Sequence, residues 1–594
     1  MLDDPSDEEQ PEALPDVRAP SPLDRLVRWL GPPADYRLTR WMILRLLGVI
    51  YLCSFVGLVL QGPALFGEHG LTPTNVYLER LAANGTTFWD LPSVSWWDAS
   101  DGALRAWAYA GVALSAIVVL GYANLPILVA LWFLYGSFTR TGQLWFSFGW
   151  ELQILETTLI AAFLAHPWDP RPLAAPAPPR TAIVLMRWLV FRVMLGAGLI
   201  KLRGDACWTE LTCLDAHFET QPIPNPLSPL FHHLPGWLHA AGVVFNHAVE
   251  LVLPWLVFGP RRLRLVAGVG MTAFQLLLIA SGNLAFFNWI TLVCVLACFD
   301  DAFLLRLVPA RLRAWLCARL AANEERRGAQ ERARDGKQLV ISFAISLGVV
   351  VLWSPMLGTL SAPGQVIAAG VVALALAGLA WWHRARIVSS GARLDGWQLA
   401  VGAFAALVAV KSVPVVDNLL SSRQAMNRSY DRLAIVNTYG AFGTVGDTRY
   451  ELVIEGTRDA DPATATWHAY ELPCKPGDLA RRPCVLGPYH RRLDWLSWFA
   501  AMAERPRDPW VLHLVYKLLD GDRTVRALLA VDPFDGEPPA WIRIRRFVYH
   551  LAPPGADTWW TRDREQLWLR PIALHDPELR RALARFGWPS PSVR

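Results

Sequence analysis

The residues best suited to chemistry in this sequence surround Lys201, which follows a mainly apolar run at 181–200. An ammonium group held out of water favours its neutral form, which can act as a base. A lysine at the end of an apolar helix also commonly extends its charge towards water and complements the helix dipole. Position alone therefore leaves Lys201 as either a catalytic base or a structural residue.

Ionisable side chains also lie inside other apolar stretches. Glu156 lies within 146–166, and both His247 and Glu250 lie within 237–258. His247 and Glu250 are three residues apart, so a helix would place them on one face. There the carboxylate could orient the imidazole as a general base. The alternatives are that these acids pair with arginines and fix the helix register, or that they bind a lipid or another ligand.

Acidic and histidine side chains are frequent between Lys201 and His239, but their spacing matches no zinc or calcium pattern. They are Asp205, Asp215, His217, Glu219, His232 and His233. The sequence also contains no GxSxG, HExxH or phosphate-binding glycine loop. We therefore expect no metal and no cofactor, and nothing supports a conventional hydrolase or an ATP-driven pump.

Two pairs of cysteines are close in sequence, Cys207 with Cys213 and Cys474 with Cys484. Cys207 and Cys213 are separated by five residues, unlike the two-residue gap of redox motifs. A structural disulfide is favoured for each pair, which would place both pairs on an oxidising side of the membrane.

The composition indicates a polytopic membrane protein. The chain has 594 residues, of which 53% are apolar, and 29 are tryptophans, which favour the membrane–water interface. A net charge of +5 is too small to indicate nucleic acid as a partner. Membrane lipids are the partners that this composition implies.

A bilayer-spanning helix needs about 20 apolar residues, and eleven segments approach or meet this requirement. They are 41–60, 104–122, 124–138, 146–166, 181–200, 237–258, 263–281, 284–304, 338–360, 364–383 and 396–416. The expected fold is a polytopic α-helical membrane bundle of about eleven spans at 41–416, followed by a β-rich extramembrane domain at 417–594. In that domain, the stretches 449–454 and 540–551 are rich in Val, Ile and Tyr and are expected as strands, and the apolar spacing at 491–504 and 509–519 predicts helices. Residues 1–40 are expected to form an acidic disordered tail and a basic segment at the interface.

The distribution of basic residues predicts the orientation of the spans. If the N-terminus is cytoplasmic, the only basic residues in the loops between spans on the opposite side of the membrane are Arg80, Arg140, Lys201 and Arg203. The inside loops hold many more bases, as the positive-inside bias requires. The outer loop 201–236 and the C-terminal domain are therefore expected in the periplasm or lumen. The basic segment 306–337 is expected inside, as a surface helix on anionic lipid or, alternatively, a partner site.

The sequence resembles the lipase maturation factor family over roughly residues 35–575. The stretches that carry the resemblance are WELQILETTLIAAFL (150–164), MRWLVFRVMLGAGLIKLRGDACWTELTCLDAHFETQPIPNPLS (186–228), FNHAVELVLPW (245–255), SGNLAFFNWITLVCVLACFDD (281–301), IVNTYGAFGTV (435–445), KPGDLARRPCVLGPYHRRLDWLSWFAA (475–501) and Trp559 with Trp560. The richness in Ala, Arg, Leu and Pro and the acidic tail suggest a bacterial member.

The resemblance implies an integral membrane factor that assists the folding of exported proteins, with lipases as clients. Its vertebrate members reside in the endoplasmic reticulum membrane, and a bacterial member would lie in the inner membrane. A client-binding surface should expose aromatic groups among polar ones. The expected client contacts are Trp208, Phe218, Trp495, Trp498 and Phe499.

A second, shorter resemblance points to an enzyme. The run AGLIKL (197–202), with Asp205 and Trp208 after it, is similar to the segment that bears the base lysine in vitamin K-dependent carboxylase-like membrane proteins. It implies a membrane-embedded enzyme with Lys201 as base in an outward-facing cavity. The residues expected around that cavity are Lys201, His217, His247, Glu250 and Glu156. The sequence favours the folding factor, with the carboxylase-like enzyme as the alternative. A transporter is disfavoured, because no paired, glycine-broken half-helices are apparent.

Overall fold

The computed structural model describes residues 36–173, 177–327 and 396–588. The helices of the bundle are α1 (Arg37–Phe66), α2 (Thr74–Ala83), α3 (Asp101–Leu120), α4 (Leu125–Thr141), α5 (Gly149–Leu164), α6 (Arg180–Arg203), α7 (Cys213–Thr220), α8 (Ser228–His232), α9 (Gly236–His247), α10 (Leu253–Leu256), α11 (Arg261–Ser281), α12 (Phe287–Val295), α13 (Asp301–Leu307), α14 (Ala310–Arg327) and α15 (Gly396–Leu420). The C-terminal domain contains β1 (Arg449–Thr457), β2 (His468–Tyr470), α16 (Arg492–Met502), α17 (Pro509–Leu519), α18 (Arg523–Arg526), β3 (Trp541–Leu551), β4 (Trp560–Ile572) and α19 (Pro577–Arg585).

Within the described residues, five helices are long and apolar enough to cross a membrane, judged by length and composition. They are α1, α3, α6, α11 and the part of α15 at Leu399–Leu420. The expected number of eleven spans is not confirmed. Two expected spans, 338–360 and 364–383, and most of the tail 1–40 lie outside the described residues.

Several expected spans form shorter helices, for identifiable reasons. The stretch 237–258 is divided into α9, a π turn at Ala248–Val252 and α10, whose second residue is Pro254. The stretch 284–304 is interrupted after α12, and a new helix, α13, begins beyond Asp300. The carboxylate of Asp300 accepts a hydrogen bond from the N–H of Phe303 at 2.9 Å, which caps α13. Helix α5, with 16 residues, is shorter than the expected span 146–166, whereas α4, with 17 residues, slightly exceeds the expected span 124–138.

Helix α6 lies at the centre of the bundle. Of the 18 consecutive residues that form the most apolar part of α6, 78% are buried. The corresponding part of α3, which lies at the periphery, is 28% buried. One of the two buried arginines of α6, Arg187, donates from Nε to the carbonyl of Ala297 at 2.9 Å and from Nη2 to the hydroxyl of Tyr36 at 2.8 Å. These bonds satisfy a charge that would be costly in an apolar core. The helix ends at Arg203, just before Gly204, with Lys201 in its last turn.

The C-terminal domain is built on a four-stranded antiparallel sheet with the strand order β2-β1-β3-β4. Alternate residues of β1 and β3 face opposite sides, as the two-residue period of a strand requires. Ile454, Ile542 and Ile544 pack into the core shared with the bundle, whereas Val453 and Phe547 pack on the other face. Helices α16 and α17 cover the first face. A small antiparallel sheet domain is therefore present, as expected.

The sheet domain packs directly on the outer loop 201–236. Arg449, at the start of β1, donates from Nη1 to the carbonyls of Glu219 at 2.7 Å and Gln221 at 2.5 Å. The carboxylate of Glu219 accepts from the N–H of Leu551 at 2.8 Å. The loop and the domain therefore lie together at one end of the bundle.

Candidate functional site

Lys201 forms a buried ion pair with Glu250. Its Nζ donates to both carboxylate oxygens at 2.6 Å, and the two side chains are 4% and 5% exposed. The amide of Asn246 donates to Oε2 of Glu250 at 3.0 Å. The Nζ of Lys201 also lies 5.2 Å from the ring centroid of Trp208, at a distance typical of cation–π contacts. Both charges are thus compensated within the protein.

The π turn at Ala248–Val252 determines which partner Glu250 meets. Such a turn inserts one extra residue into a helix and shifts the faces that follow it. His247, the residue before the turn, donates from Nε2 to the carbonyl of Trp208 at 3.0 Å. Glu250 instead binds Lys201 and Asn246. The expectation that Glu250 orients His247 is therefore wrong, because the spacing argument assumed an uninterrupted α-helix.

A narrow cavity of about 90 Å³, the Lys201 chamber, lies beside this ion pair. Lys201, Glu250 and His217 line it together with the rings of Trp208 and Phe218. Of the five residues expected around an enzymatic cavity, Lys201, His217 and Glu250 therefore lie together, whereas His247 does not line the chamber. His217 is buried, and this burial, followed by the charge of Lys201, lowers the pKa of its imidazole to about 4.

Trp208 and Phe218 were expected as client contacts, but this expectation is wrong for the folded chain described here. They are only 2% and 7% exposed. The indole of Trp208 donates to the carbonyl of Phe442 at 2.9 Å, and the ring of Phe218 packs against Phe231 at 5.4 Å between centroids. Both rings are walls of the chamber and are not available at the surface.

A glycine-rich segment, residues 440–446, closes the chamber from the side of the C-terminal domain. The ring of Phe442 meets the imidazole of His217 edge-on, with 5.0 Å between the centroids. The carbonyl of Gly443 accepts from the N–H of Asp205 at 2.9 Å. A Cβ on Gly204 would overlap this carbonyl, so the close approach requires glycine at position 204.

A second and larger space, the domain cleft of about 560 Å³, lies on the other side of His217 and Phe442. Trp495, Trp498 and Phe499, three expected client contacts, all line it. Phe499 is 43% exposed, whereas Trp495 is 4% exposed and meets Trp150 edge-on at 5.0 Å. The indole of Trp498 donates to the carbonyl of Thr220 at 2.9 Å, which fixes one wall of the cleft on the outer loop.

Glu156 does not reach the Lys201 chamber. It forms an ion pair with Arg192 and accepts from the hydroxyl of Tyr439 at 2.7 Å and from the backbone N–H of Asn437 at 3.1 Å. The expectation that Glu156 lines the cavity is therefore wrong. Its position holds the chain that enters the C-terminal domain against the bundle.

Sequence analysis gave no role to several buried basic residues of the C-terminal domain. Among them are Arg449, Lys475 and Arg492. Lys475 pairs with Glu451 at 2.8 Å, and its burial lowers the pKa of its ammonium to about 8. The sequence did contain one sign that Lys475 and Arg492 matter, since both lie within the stretch 475–501 that carries the family resemblance.

Both expected disulfides are present, Cys207–Cys213 and Cys474–Cys484. The first closes the turn that carries Trp208, and the second lies beside Asp494. Burial raises the pKa of the Asp494 carboxyl to about 6, and its carboxylate accepts from the N–H of Cys474 at 2.7 Å. Among residues 36–173, 177–327 and 396–588, no group of three or more His, Cys, Asp or Glu side chains could hold a metal ion.

A bundle of apolar helices that carries a sheet domain at one end defines a class, the multi-pass membrane proteins with an extramembrane domain. Two family models match this chain. One is described as the lipase maturation factor transmembrane domain and covers residues 38–306. The other is described as the lipase maturation factor C-terminal domain and covers residues 435–570. The chain belongs to the lipase maturation factor family.

Relatives of known name match nearly the whole chain. Lipase maturation factor 1 of Mus musculus is 40% identical over 576 residues, which cover 93% of this chain and 90% of the relative. Lipase maturation factor 1 of Homo sapiens is 38% identical, with coverage of 94% and 93%. Lipase maturation factor 2 of Homo sapiens is 29% identical, with coverage of 93% and 85%. No solved structure matches the chain significantly.

Proposed function

We propose that this protein is an integral membrane maturation factor that assists the folding of exported, lipase-like proteins. Its family membership and the names of its relatives support this function. The client would approach from the side that holds the outer loop 201–236 and the C-terminal domain. Exported proteins fold on that side if it is the periplasm or the lumen of the endoplasmic reticulum.

The observation that carries the proposal is the domain cleft. Its exposed rim includes Phe499, Met502 and Met426, which are 43%, 48% and 45% exposed. Exposed apolar side chains grouped around a concave site are typical of protein-binding surfaces. Methionine side chains are flexible and polarisable, and they suit surfaces that accept different partners. An unfolded or partly folded client would place an apolar segment against this rim.

The two disulfides support the proposed orientation. Cys207–Cys213 lies in the outer loop and Cys474–Cys484 in the C-terminal domain, and both elements meet at the same end of the bundle. Disulfides persist in oxidising compartments. This end would therefore face the lumen of the endoplasmic reticulum or, in a bacterium, the periplasm.

The test is co-expression of this protein with an exported lipase in cells that lack their own maturation factor. We expect the double variant Phe499→Ala/Met502→Ala to lower secreted lipase activity about fivefold or more, because a few apolar side chains carry most of the binding energy of such interfaces. Leu567→Ala is the matched control, since Leu567 is 56% exposed on β4, away from the cleft. Equal lipase activity with all three proteins would contradict a client site in the cleft.

An enzymatic function is the second candidate, favoured by one observation. Lys201, Glu250 and His217 line a common cavity. The ion pair argues against Lys201 as a base, because an ammonium paired with a carboxylate has no lone pair to accept a proton. Catalysis would require the proton to leave Lys201 when a substrate enters the chamber.

The variant Lys201→Arg separates the two functions. Arginine keeps the positive charge beside Glu250 but does not act as a base at accessible pH. A maturation factor should retain most of its effect on secreted lipase activity. An enzyme with Lys201 as base should lose activity by orders of magnitude while the protein stays folded. Thermal unfolding of the purified variant in detergent checks that the substitution itself is tolerated.

A further inference from the structure

An apolar groove of about 700 Å³ lies at the end of the bundle remote from the C-terminal domain. Its walls come from the start of α1, the end of α3 and one face of α14. The opposite end of α1 carries Gln61, whose amide donates to the carbonyl of His490 in the C-terminal domain at 2.8 Å. With a rise of about 1.5 Å per residue, the two ends of α1 are separated by roughly the thickness of a bilayer. We call this space the α14 groove.

Helix α14 presents an apolar face to the groove. Leu312, Trp315 and Leu316 line it, followed one turn later by Arg319, and this spacing places all four on one side of a helix. Trp315 remains 55% exposed and Leu312 48% exposed despite facing the bundle. The described part of the chain therefore leaves this apolar surface uncovered.

A buried cation lies beside the groove. Arg45 is 8% exposed and donates from Nη2 to the carbonyl of Gly121. Within the residues that the structure describes, its Nε and Nη1 are buried without a hydrogen-bond partner. Arg45 lines a small recess of about 20 Å³, and this recess shares Trp41, Arg171 and Leu173 with the wall of the groove. The guanidinium of Arg45 also lies 5.3 Å from the ring centroid of Trp41, and the carboxylate of Asp169, which lines the same recess, is paired with Arg171 at 2.7 Å. Leaving Nε and Nη1 of Arg45 without a hydrogen-bond acceptor is costly, and the phosphate of a bound lipid would supply one.

The charge and the shape together identify the occupant. An anion that accepts hydrogen bonds from Arg45 would have an apolar groove next to it and Arg319 at the groove margin. A phosphate that carries acyl chains has both properties, and guanidinium groups bind phosphate oxygens well. The side chain of Leu120, at the end of α3, also lines the groove and is 75% exposed, so the groove is open at the surface of the bundle. Basic pockets between helices at the cytoplasmic surface bind anionic headgroups in this way.

We propose that the α14 groove binds one anionic phospholipid, with its phosphate at Arg45 and its acyl chains against Trp315 and Leu312. The site is independent of the proposed maturation function. It lies at the opposite end of the bundle from the domain cleft, and no residue lines both spaces.

The experiment is native mass spectrometry of the whole protein in detergent, titrated with dioleoyl phosphatidylglycerol or dioleoyl phosphatidylcholine. The two lipids share their acyl chains and differ in net charge. We expect one phosphatidylglycerol to bind at least tenfold more tightly than phosphatidylcholine. Arg45→Met should remove most of this preference. Equal binding of the two lipids would overturn the proposal.

A matched pair of variants on α14 keeps the test decisive if Arg45→Met fails to fold. Arg319→Gln should weaken phosphatidylglycerol binding about fivefold, as expected for one basic residue near an anionic headgroup. Arg313→Gln removes the same charge from an exposed position on the same helix that does not line the groove, and it should have little effect. Equal weakening by both variants would indicate general surface attraction and overturn the proposal.

A photoreactive benzophenone amino acid in place of Leu312 identifies what fills the groove in a native membrane. A lipid-sized adduct is the expected product. A crosslink to residues 328–395 of the same chain would show that another segment of the protein occupies the groove, and would overturn the proposal.

Discussion

Arg492 of the C-terminal domain donates from Nη1 to Oε1 of Glu151 in the bundle at 2.7 Å. Arg492 is 4% exposed and Glu151 is fully buried. The same Nη1 donates to the carbonyl of Trp145 at 2.5 Å, and the hydroxyl of Tyr135 also donates to Glu151. The ion pair thus joins the last third of the chain to the interior of the bundle.

We expect Arg492→Met to destabilise the protein by about 3–5 kcal/mol, because it leaves the carboxylate of Glu151 buried without its counter-charge. Thermal unfolding in detergent measures the loss. Arg505→Met is the control, since Arg505 is exposed on the same domain. The double variant Arg492→Met/Glu151→Leu should recover part of the loss. If Arg492→Met unfolds at the same temperature as Arg505→Met, the pair contributes nothing to docking.

Acid should destabilise the protein through His217. Its folded-state pKa of about 4 lies below the ordinary value of 6.5, so the unfolded chain binds this proton first as the pH falls. The contribution of the neutral imidazole to the free energy of unfolding is present in full above about pH 6.5. It is lost as the pH falls towards 4. Between pH 7 and pH 5 the loss should be about 2 kcal/mol.

The variant His217→Phe isolates this effect, because it keeps a ring against Phe442 and removes the titrating group. The unfolding temperature should fall less between pH 7 and pH 5 in the variant than in the unmodified protein. Parallel curves for the two proteins would mean that His217 does not titrate in this range.

The cysteines should fall into two groups of four. Cys207, Cys213, Cys474 and Cys484 are disulfide-bonded, whereas Cys53, Cys294, Cys298 and Cys317 are free. Alkylation of the denatured, unreduced protein should modify four thiols, and mass spectrometry should find the two linked peptides. Removal of the second disulfide by Cys474→Ser/Cys484→Ser should cost about 2–3 kcal/mol, as expected for a short closed loop. Modification of all eight cysteines before reduction would contradict both pairs.

The C-terminal domain should be protected from protease in sealed inside-out vesicles, in which the cytoplasmic face is outermost. A tag after residue 594 reports this directly. We expect the tag to be cleaved only after detergent opens the vesicles. Cleavage in intact vesicles would place the domain in the cytoplasm and reverse the orientation predicted from the basic loops.

Local pattern was sufficient to predict the sheet domain and its helices. The Val-, Ile- and Tyr-rich stretches at 449–454 and 540–551 form β1 and β3, and the apolar spacing at 491–504 and 509–519 marks α16 and α17. These elements bury one face each, and their side-chain period is visible along the sequence. The two disulfides were predictable for a similar reason, since each joins cysteines that are close in the chain.

Contacts between distant segments could not be predicted from pattern. Trp208 and Phe218 resemble exposed aromatic residues in a charged loop, yet residues 440–446 cover the first and α8 covers the second. Glu156 is similar to other intramembrane acids in sequence, and only the fold shows that it binds Arg192 and Tyr439. The interruption beyond α12 was missed because an apolar run gives no sign of where Asp300 caps a new helix.

The π turn at Ala248–Val252 makes the contact between Lys201 and Glu250 depend on the number of residues in this stretch as well as on their identity. Removing one residue, for example Val249, would restore an α-helical register and rotate the acid about 100° around the helix axis, away from the lysine, with every charged side chain still in the sequence. Family members that share both charged residues but differ in length here would therefore be expected to pair them differently.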